Sequence, residues 1–328
     1  MKWLPSRCVC GAVFCGAVLM ISVLERARAA PPVIAGLVTC LPANDCARSE
    51  SETLHLAVFI GAADSWDVTS TLIYGKSEAI LVDCQFRISQ AKKLADQVAA
   101  MGRRLKAIII THPDNDHYIG TAVLRERFPD TPIYMTAAAL EEFRRTSGAA
   151  LASKKASAPS ETPAGLPTPD VLPATIPTVD GETVEVIKDL QGDVLKPTNS
   201  FLWIPSLHAV IAGDIVFNGV YPYLGDSSVA SRRAWHDSLR RIVAFHPRVV
   251  IAGHKKSANL PDSPSVVAAM EKYLDDFESA RRAASDADQL VAAMKAKYRE
   301  WSQERLLVYS AKAVMAPSFS TSSRIRQP

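Results

Sequence analysis

The apolar and polar positions of this chain alternate between strand-like and helix-like stretches, and the series runs twice. Leu54 to Ile60, Val68 to Tyr74 and Ala79 to Asp83 read as strands, with Gly75-Lys76 turning between the last two. Ile88 to Met101 sets Ile88, Ala91, Leu94, Ala95 and Val98 at helical spacing and stops at Gly102. Ala107 to Ile110 is a short unbroken apolar run, consistent with a buried strand. The same logic predicts a helix over Ile119 to Phe128, a strand over Pro132 to Met135 and a helix over Ala137 to Arg145.

Ser147 to Pro173 breaks the rhythm. It is rich in Ala, Ser, Thr and Pro and poor in large apolar groups, so most of it is expected to be an exposed, mobile excursion. It reads either as a plain surface insertion or as a flap near a site mouth. Strands then recur at Thr183 to Ile187, Phe201 to Ile204 and Ala209 to Ala212, with turns at Gly192-Asp193 and Pro205-Ser206. Ala234 to Phe245 is predicted helical, Val249 to Ile251 a strand, and Pro264 to Ala284 and Asp286 to Trp301 helical. Leu290, Val291, Met294 and Tyr298 make the last helix amphipathic, as a domain cap would be. The order suggests two similar halves, which two stacked sheets with helices outside would accommodate. Pattern alone reaches only the α/β class.

The first residues change the composition. Lys2 and Arg7 precede an uncharged, mostly apolar run from Val9 to Leu24, and Ala27-Arg28-Ala29 offers a small-x-small cleavage site. That layout is a secretory signal peptide. The rival, a retained anchor, has a run shorter than a usual spanning helix, and Cys15 lacks the small residues that precede a lipoprotein cysteine. Cleavage after Ala29 would place the protein in the periplasm or outside the cell, with no membrane attachment. The formal charge of +3 is the balance of Lys2, Arg7, Arg26 and Arg28 against Glu25, so the rest of the chain is neutral. No nucleic-acid footprint remains. Cleavage also removes Cys8, Cys10 and Cys15. Cys40 and Cys46 could then close a small disulfide loop, while Cys84 ends a strand and reads as a packed thiol, with a metal thiolate as the alternative.

The expected organisation is a signal peptide over 1–29, an exposed segment over 30–50, and one domain over 51–302 carrying the insertion at about 147–173. An extension over 303–328 completes it, disordered beyond about 317. Oligomeric state is not legible.

Chemistry concentrates just after Ile110. His112, Asp114, Asp116 and His117 are four potential metal ligands in one short loop, in a chain with 7 histidines altogether. Ligands set just past a strand have a rigid support. Thr111-His112-Pro113-Asp114-Asn115-Asp116-His117 resembles the Thr-His-x-His-x-Asp-His signature of the metallo-β-lactamase superfamily, with Asp114 where a second histidine is expected. The resemblance extends from about Leu54 to His254.

That resemblance implies an αββα sandwich of two mixed sheets with helices on the outer faces. It implies further ligands at Asp193 of Gly192-Asp193, where the family has histidine, at Asp214 of Gly213-Asp214, and at His254 of Gly253-His254. Asp83 matches a family Asp that supports the site without binding metal. The implied cofactors are two divalent ions. Three histidines and four carboxylates make this set harder and more negative than the family pattern, which shifts preference from Zn towards Mn or Fe and should acidify bound water less. Asp116, His117, Asp214 and His254 depart least from pattern and are expected to bind metal more reliably than the His112, Asp114, Asp193 side. His208 starts a hairpin strand at the surface and is left out of the set.

The implied activity is metal-dependent hydrolysis of an ester, lactone, thioester or amide of a small molecule, β-lactams included. Hydroxide generated at the metals and oriented by Asp116 would attack the carbonyl. Tyr221 and Tyr223 follow Asp214 closely and are candidates to donate to the oxyanion or line the pocket, with core packing as the alternative. Lys255 and Lys256 could attract an anionic substrate or stand as a solvated pair. Two other readings stay open. A carboxylate in the second motif position is similar to the His-x-Glu-x-Asp-His of flavodiiron proteins, which suggests a di-iron redox protein. An impaired first site would instead leave a catalytically silent metal- or ligand-binding member.

Overall fold

The computed structural model describes residues 54–316, together with the backbone of an edge strand over 37–40. The expected signal peptide, the expected Cys40–Cys46 disulfide and the tail from residue 317 lie outside the described residues. Strand β1 (Leu37–Cys40) falls within the segment expected to be merely exposed; it instead pairs antiparallel with β2 (His55–Ile60), Leu37 opposite Phe59. β3 (Thr69–Tyr74) and β4 (Glu78–Val82) continue the antiparallel series. The chain then crosses through α1 (Ile88–Ala100) to β5 (Arg104–Ile109), which lies parallel to β4.

Two short helices follow, α2 (Asn115–Tyr118) and α3 (Thr121–Arg127), where one helix over Ile119 to Phe128 was expected. The junction is Gly120. It sits so close to the loop after β4 that a Cβ there would lie 1.7 Å from the Cys84 carbonyl oxygen. The sheet is completed by β6 (Ile133–Met135), α4 (Ala137–Ser157) and β7 (Asp170–Val171), giving seven strands in sequence order.

α4 corrects the expectation of a mobile excursion. It runs more than ten residues beyond Arg145, because an Ala- and Lys-rich stretch has strong helix propensity even without an apolar face. Lys154, Thr162 and Pro163 are buried, and Glu161 accepts the Ser89 amide at the start of α1 at 3.0 Å.

The second sheet contains β8 (Glu185–Leu190), β9 (Asn199–Ile204), β10 (Ala209–Ile211) and, further on, β12 (Val249–Ile251), in the order β12-β10-β9-β8. Between β10 and β12 come β11 (Phe217–Asn218) and α5 (Val229–Val243). A short β13 (His254–Lys255) pairs parallel with β11. Helices α6 (Ser265–Ala283), α7 (Ala287–Lys297) and α8 (Glu304–Met315) close the chain.

The strands are apolar on both faces because both faces are covered. Ile80, Val82, Ala107 and Ile109 of the first sheet meet Leu202, Ile204, Ala209, Ile211 and Ile251 of the second. The alternate residues face outwards: Leu81 and Ile108 pack on Leu94, Leu124 and Leu140, while Phe201, Val210 and Val250 pack on Trp235, Met270, Leu290 and Leu307. This is the αββα sandwich expected. α8 was not foreseen. It buries Leu306, Leu307, Ser310 and Ala311, so the folded domain runs past residue 302. Among the described residues no helix is long and apolar enough to cross a membrane.

Candidate metal centre

The loop after β5 is fixed by Asp83, which ends β4 with a left-handed φ of 61°, a conformation Asp tolerates better than most residues. Its carboxylate accepts the Thr111 amide and the Thr111 hydroxyl, each at 2.9 Å. It also accepts His117 Nδ1–H at 2.9 Å. The Thr111 carbonyl takes the Ser200 amide and hydroxyl of β9, at 3.0 and 2.7 Å, which ties the loop to the second sheet.

The same ties set the histidine tautomers. Thr111 Oγ1 gives its proton to Asp83 and so accepts from His112 Nδ1 at 3.0 Å. His254 Nδ1 donates to the Trp66 carbonyl at 2.7 Å. A carbonyl only accepts, so the proton is on Nδ1. In all three rings Nδ1 is engaged outward and the Nε2 lone pair points inward, the arrangement that metal-binding imidazoles use.

Asp214 lies between them. Its Oδ1 is 3.1 Å from His117 Nε2, and its Oδ2 is 3.1 Å from His254 Nε2 and 3.7 Å from His112 Nε2. Asp116 Oδ2 is 3.3 Å from His254 Nε2, and Asp193 Oδ1 is 3.8 Å from His112 Nε2. Gly253 permits this approach, since a Cβ there would stand 2.1 Å from Asp214 Oδ1. β13 itself is wedged between the sheets. Thr69 of β3 donates its amide to the Gly253 carbonyl at 2.7 Å, and Phe217 of β11 stacks on the His254 ring.

Potential donor atoms gather into compact groups, each within 4.8 Å: His112, Asp114 and Asp193; Asp116, His117 and His254; and His112, His117 and Asp214. Asp214 thus joins the two sides. All seven residues expected from the sequence are brought together. His112, His117, Asp193, Asp214 and His254 are buried, Asp116 nearly so and Asp114 half-buried. Solvent therefore reaches the cluster from the Asp114–Asp116 side.

The donor set fits cations. His117 Nε2 and His254 Nε2 face each other at 3.4 Å with both Nδ1 protons committed elsewhere, so a positive centre must lie between or beside them. His112 Nε2, Asp193 Oδ1 and Asp214 Oδ1 are buried without a hydrogen bond. Buried polar atoms left so are costly unless something binds them.

Charge balance agrees. Burial opposes charge on His117 and His254, but Asp214 and Asp116, with Asp83 beside His117, outweigh it and hold both imidazoles well above their ordinary range. Burial, reinforced by Asp214, Asp114 and Asp116, pushes the Asp193 carboxyl well up. Burial also tends to raise Asp214, yet His254, His117 and His112 keep it well below. The cluster therefore holds protons wherever it lacks metal.

Several expectations fail. The Tyr221 hydroxyl donates to the Tyr298 carbonyl at 2.7 Å, and its ring is buried beside Tyr273 and Trp301. Burial pushes its pKa to about 12. Tyr221 is a core residue. Tyr223 is half-buried with its ring over Gly225. Lys255 is fully buried and paired with Asp262 at 2.7 Å, and Lys256 donates to the Glu300 carbonyl, so neither is a free pair at the mouth. His208 is exposed, as expected. Cys84 is a buried free thiol, pushed well up by burial and Asp83, and belongs to no donor group among the described residues.

Sequence reasoning missed Trp66 and Lys154. Trp66 acts through its backbone carbonyl, to which residue identity is no guide. Lys154 lies in the stretch read as a surface insertion or a flap, where composition singles out no one residue.

The sequence model of the metallo-β-lactamase superfamily matches residues 63–254. Among solved structures, the DIM-1 metallo-β-lactamase exposed to ceftazidime is 17% identical, with a TM-score of 0.50 over 70% of this chain and 95% of that one. A metallo-β-lactamase from Pontibacter korlensis is likewise 17% identical, with a TM-score of 0.50 over 73% and 99%. At that identity the likeness is one of fold. No curated protein matches the chain.

Proposed function

Starting from a chain that belongs to the metallo-β-lactamase superfamily, we propose an exported hydrolase that uses two divalent cations to cleave an ester, lactone, thioester or amide of a small molecule. The observation that carries this reading is the convergence of three inward Nε2 atoms and four carboxylates, from four separate stretches of chain, on one buried point. His112, Asp114 and Asp193 would hold one cation, Asp116, His117 and His254 the other, and Asp214 would lie between them.

Cations bound there would supply Lewis acidity and lower the pKa of water. Asp116, on the solvent side with Asp114, would orient the attacking water and accept its proton, while its other carboxylate oxygen stays 3.3 Å from His254 Nε2. Asp83, Thr111 and the Trp66 carbonyl keep the rings from turning, so the donors need little reorganisation. The four carboxylates favour Mn or Fe beside Zn. Export rests on the Val9 to Leu24 run and the Ala27-Arg28-Ala29 site.

The test is turnover of a panel of esters, lactones, thioesters and β-lactams by the mature, metal-loaded protein. Hydrolysis of at least one class is expected, abolished by chelation and restored by Mn or Zn. Turnover indifferent to chelation would refute it. Two bound iron ions with no hydrolysis would favour the di-iron redox reading instead.

A further inference from the structure

Lys154, near the C-terminus of α4, is only 4% exposed. Its Nζ lies 3.0 Å from the centroid of the Phe86 ring. A buried ammonium is costly unless an anion compensates it, and a single ring supplies only part of that. Burial, with Arg87 nearby, holds its pKa at about 8, so it stays charged at neutral pH.

Three acids reach Lys154 through their fields: Asp116, Glu161 and Asp64. Each is engaged elsewhere. Asp64 pairs with Arg87 at 3.1 Å, Glu161 accepts the Ser89 amide, and Asp116 belongs to the metal cluster. Cations in that cluster would neutralise Asp116 further and leave the ammonium with less compensation still.

α4 packs against α2, the short helix that carries Asp116 on the side from which solvent reaches the cluster, and the field of Asp116 reaches Lys154. The Phe86 ring that carries Lys154 is 6.2 Å from the Trp66 ring, and the Trp66 carbonyl is the group that holds His254. The Arg305 guanidinium lies 4.0 Å above Trp66. Together they form a wall of two aromatic rings, each carrying a cation. Such a wall suits an apolar chain ending in negative charge.

We propose that Lys154 is a specificity-determining residue that receives a carboxylate of the substrate, so that the bond cleaved belongs to a half-ester, half-thioester or half-amide of a small dicarboxylic acid. The Lys154 ammonium presents a point charge that one carboxylate oxygen pair can meet. This rests on the hydrolase reading above.

The experiment is calorimetric titration of the metal-loaded full chain with succinate, glutarate and adipate against butyrate, valerate and hexanoate. Each pair has equal length, and both members carry one carboxylate for the metals. At least one dicarboxylate should bind about tenfold tighter than its partner, or ~1.4 kcal/mol. Lys154→Met should reduce that ratio to about twofold or less, and Lys154→Arg should keep most of it. No dicarboxylate preference in the wild-type protein overturns the proposal, whether or not any variant folds. A preference that survives in Lys154→Met or in Lys154→Gln also overturns it. The 4-nitrophenyl half-esters of the same acids separate the two readings: no turnover with the preference intact would refute the hydrolase and leave the carboxylate site standing.

Discussion

Asp214 touches all three inward Nε2 atoms, and no other residue of the cluster does. Asp214→Ala should therefore remove the link between the two sides. The expected result is fewer than two metal equivalents by elemental analysis and a loss of any hydrolytic turnover of about a hundredfold or more. Asp83 touches no inward nitrogen, but it holds His117 and, through Thr111, His112. Asp83→Ala should weaken metal affinity about 10- to 100-fold in a competition with a chelator. Unchanged affinity would mean that the rings are held by packing alone. The ligand loop was legible because His112, Asp114, Asp116 and His117 are contiguous. Asp193, Asp214 and His254 are scattered, and only their likeness to a known pattern singled them out. Tyr221 was misread for a plain reason: nearness in sequence to Asp214 does not say which way a ring points, and here it points into the core.

At the level of elements, helical spacing found α1, α5, α6 and α7 to within a few residues, because each has one apolar stripe facing a sheet. α4 was missed in part because its apolar residues beyond Arg145 are few and small; α8 was missed although Leu307, Ala311 and Val314 stand at helical spacing. α8 nonetheless carries load: Leu307→Ala should cost about 2–5 kcal/mol in urea unfolding, whereas Tyr309→Ala, at a 43% exposed position, should stay within ~0.5 kcal/mol. Equal effects would place α8 off the core. α6 and α7 are joined at Asp276. Burial opposes its charge, but Lys272, Lys297 and the Tyr298 hydroxyl together outweigh it and hold its pKa at about 2, against an ordinary 3.8. Because the folded value is the lower one, this contribution is present above about pH 4 and fades as pH falls to about 2. Asp276→Asn should flatten that part of the acid-stability profile, by a small amount because the pair is mostly solvated. A variant as acid-sensitive as the parent would remove Asp276 from the explanation.

For the whole molecule, the two-sheet arrangement explains why donors so distant in sequence meet. The β4 and β5 ends of the first sheet and the β10 and β12 ends of the second open onto the same edge, and β13 is hydrogen-bonded to both sides of it. The double series of strands and helices made that architecture readable as two halves; the edge at which they meet was not, because pairing between distant strands leaves no local trace in composition. The most direct measurement is metal stoichiometry of the protein after equilibration with Mn or Zn and removal of free ion. Two equivalents per chain are expected, falling to about one in Asp193→Ala and below two in Asp214→Ala. No tightly bound metal in the wild type, or two equivalents retained in Asp214→Ala, would contradict a shared cation centre between the sheets.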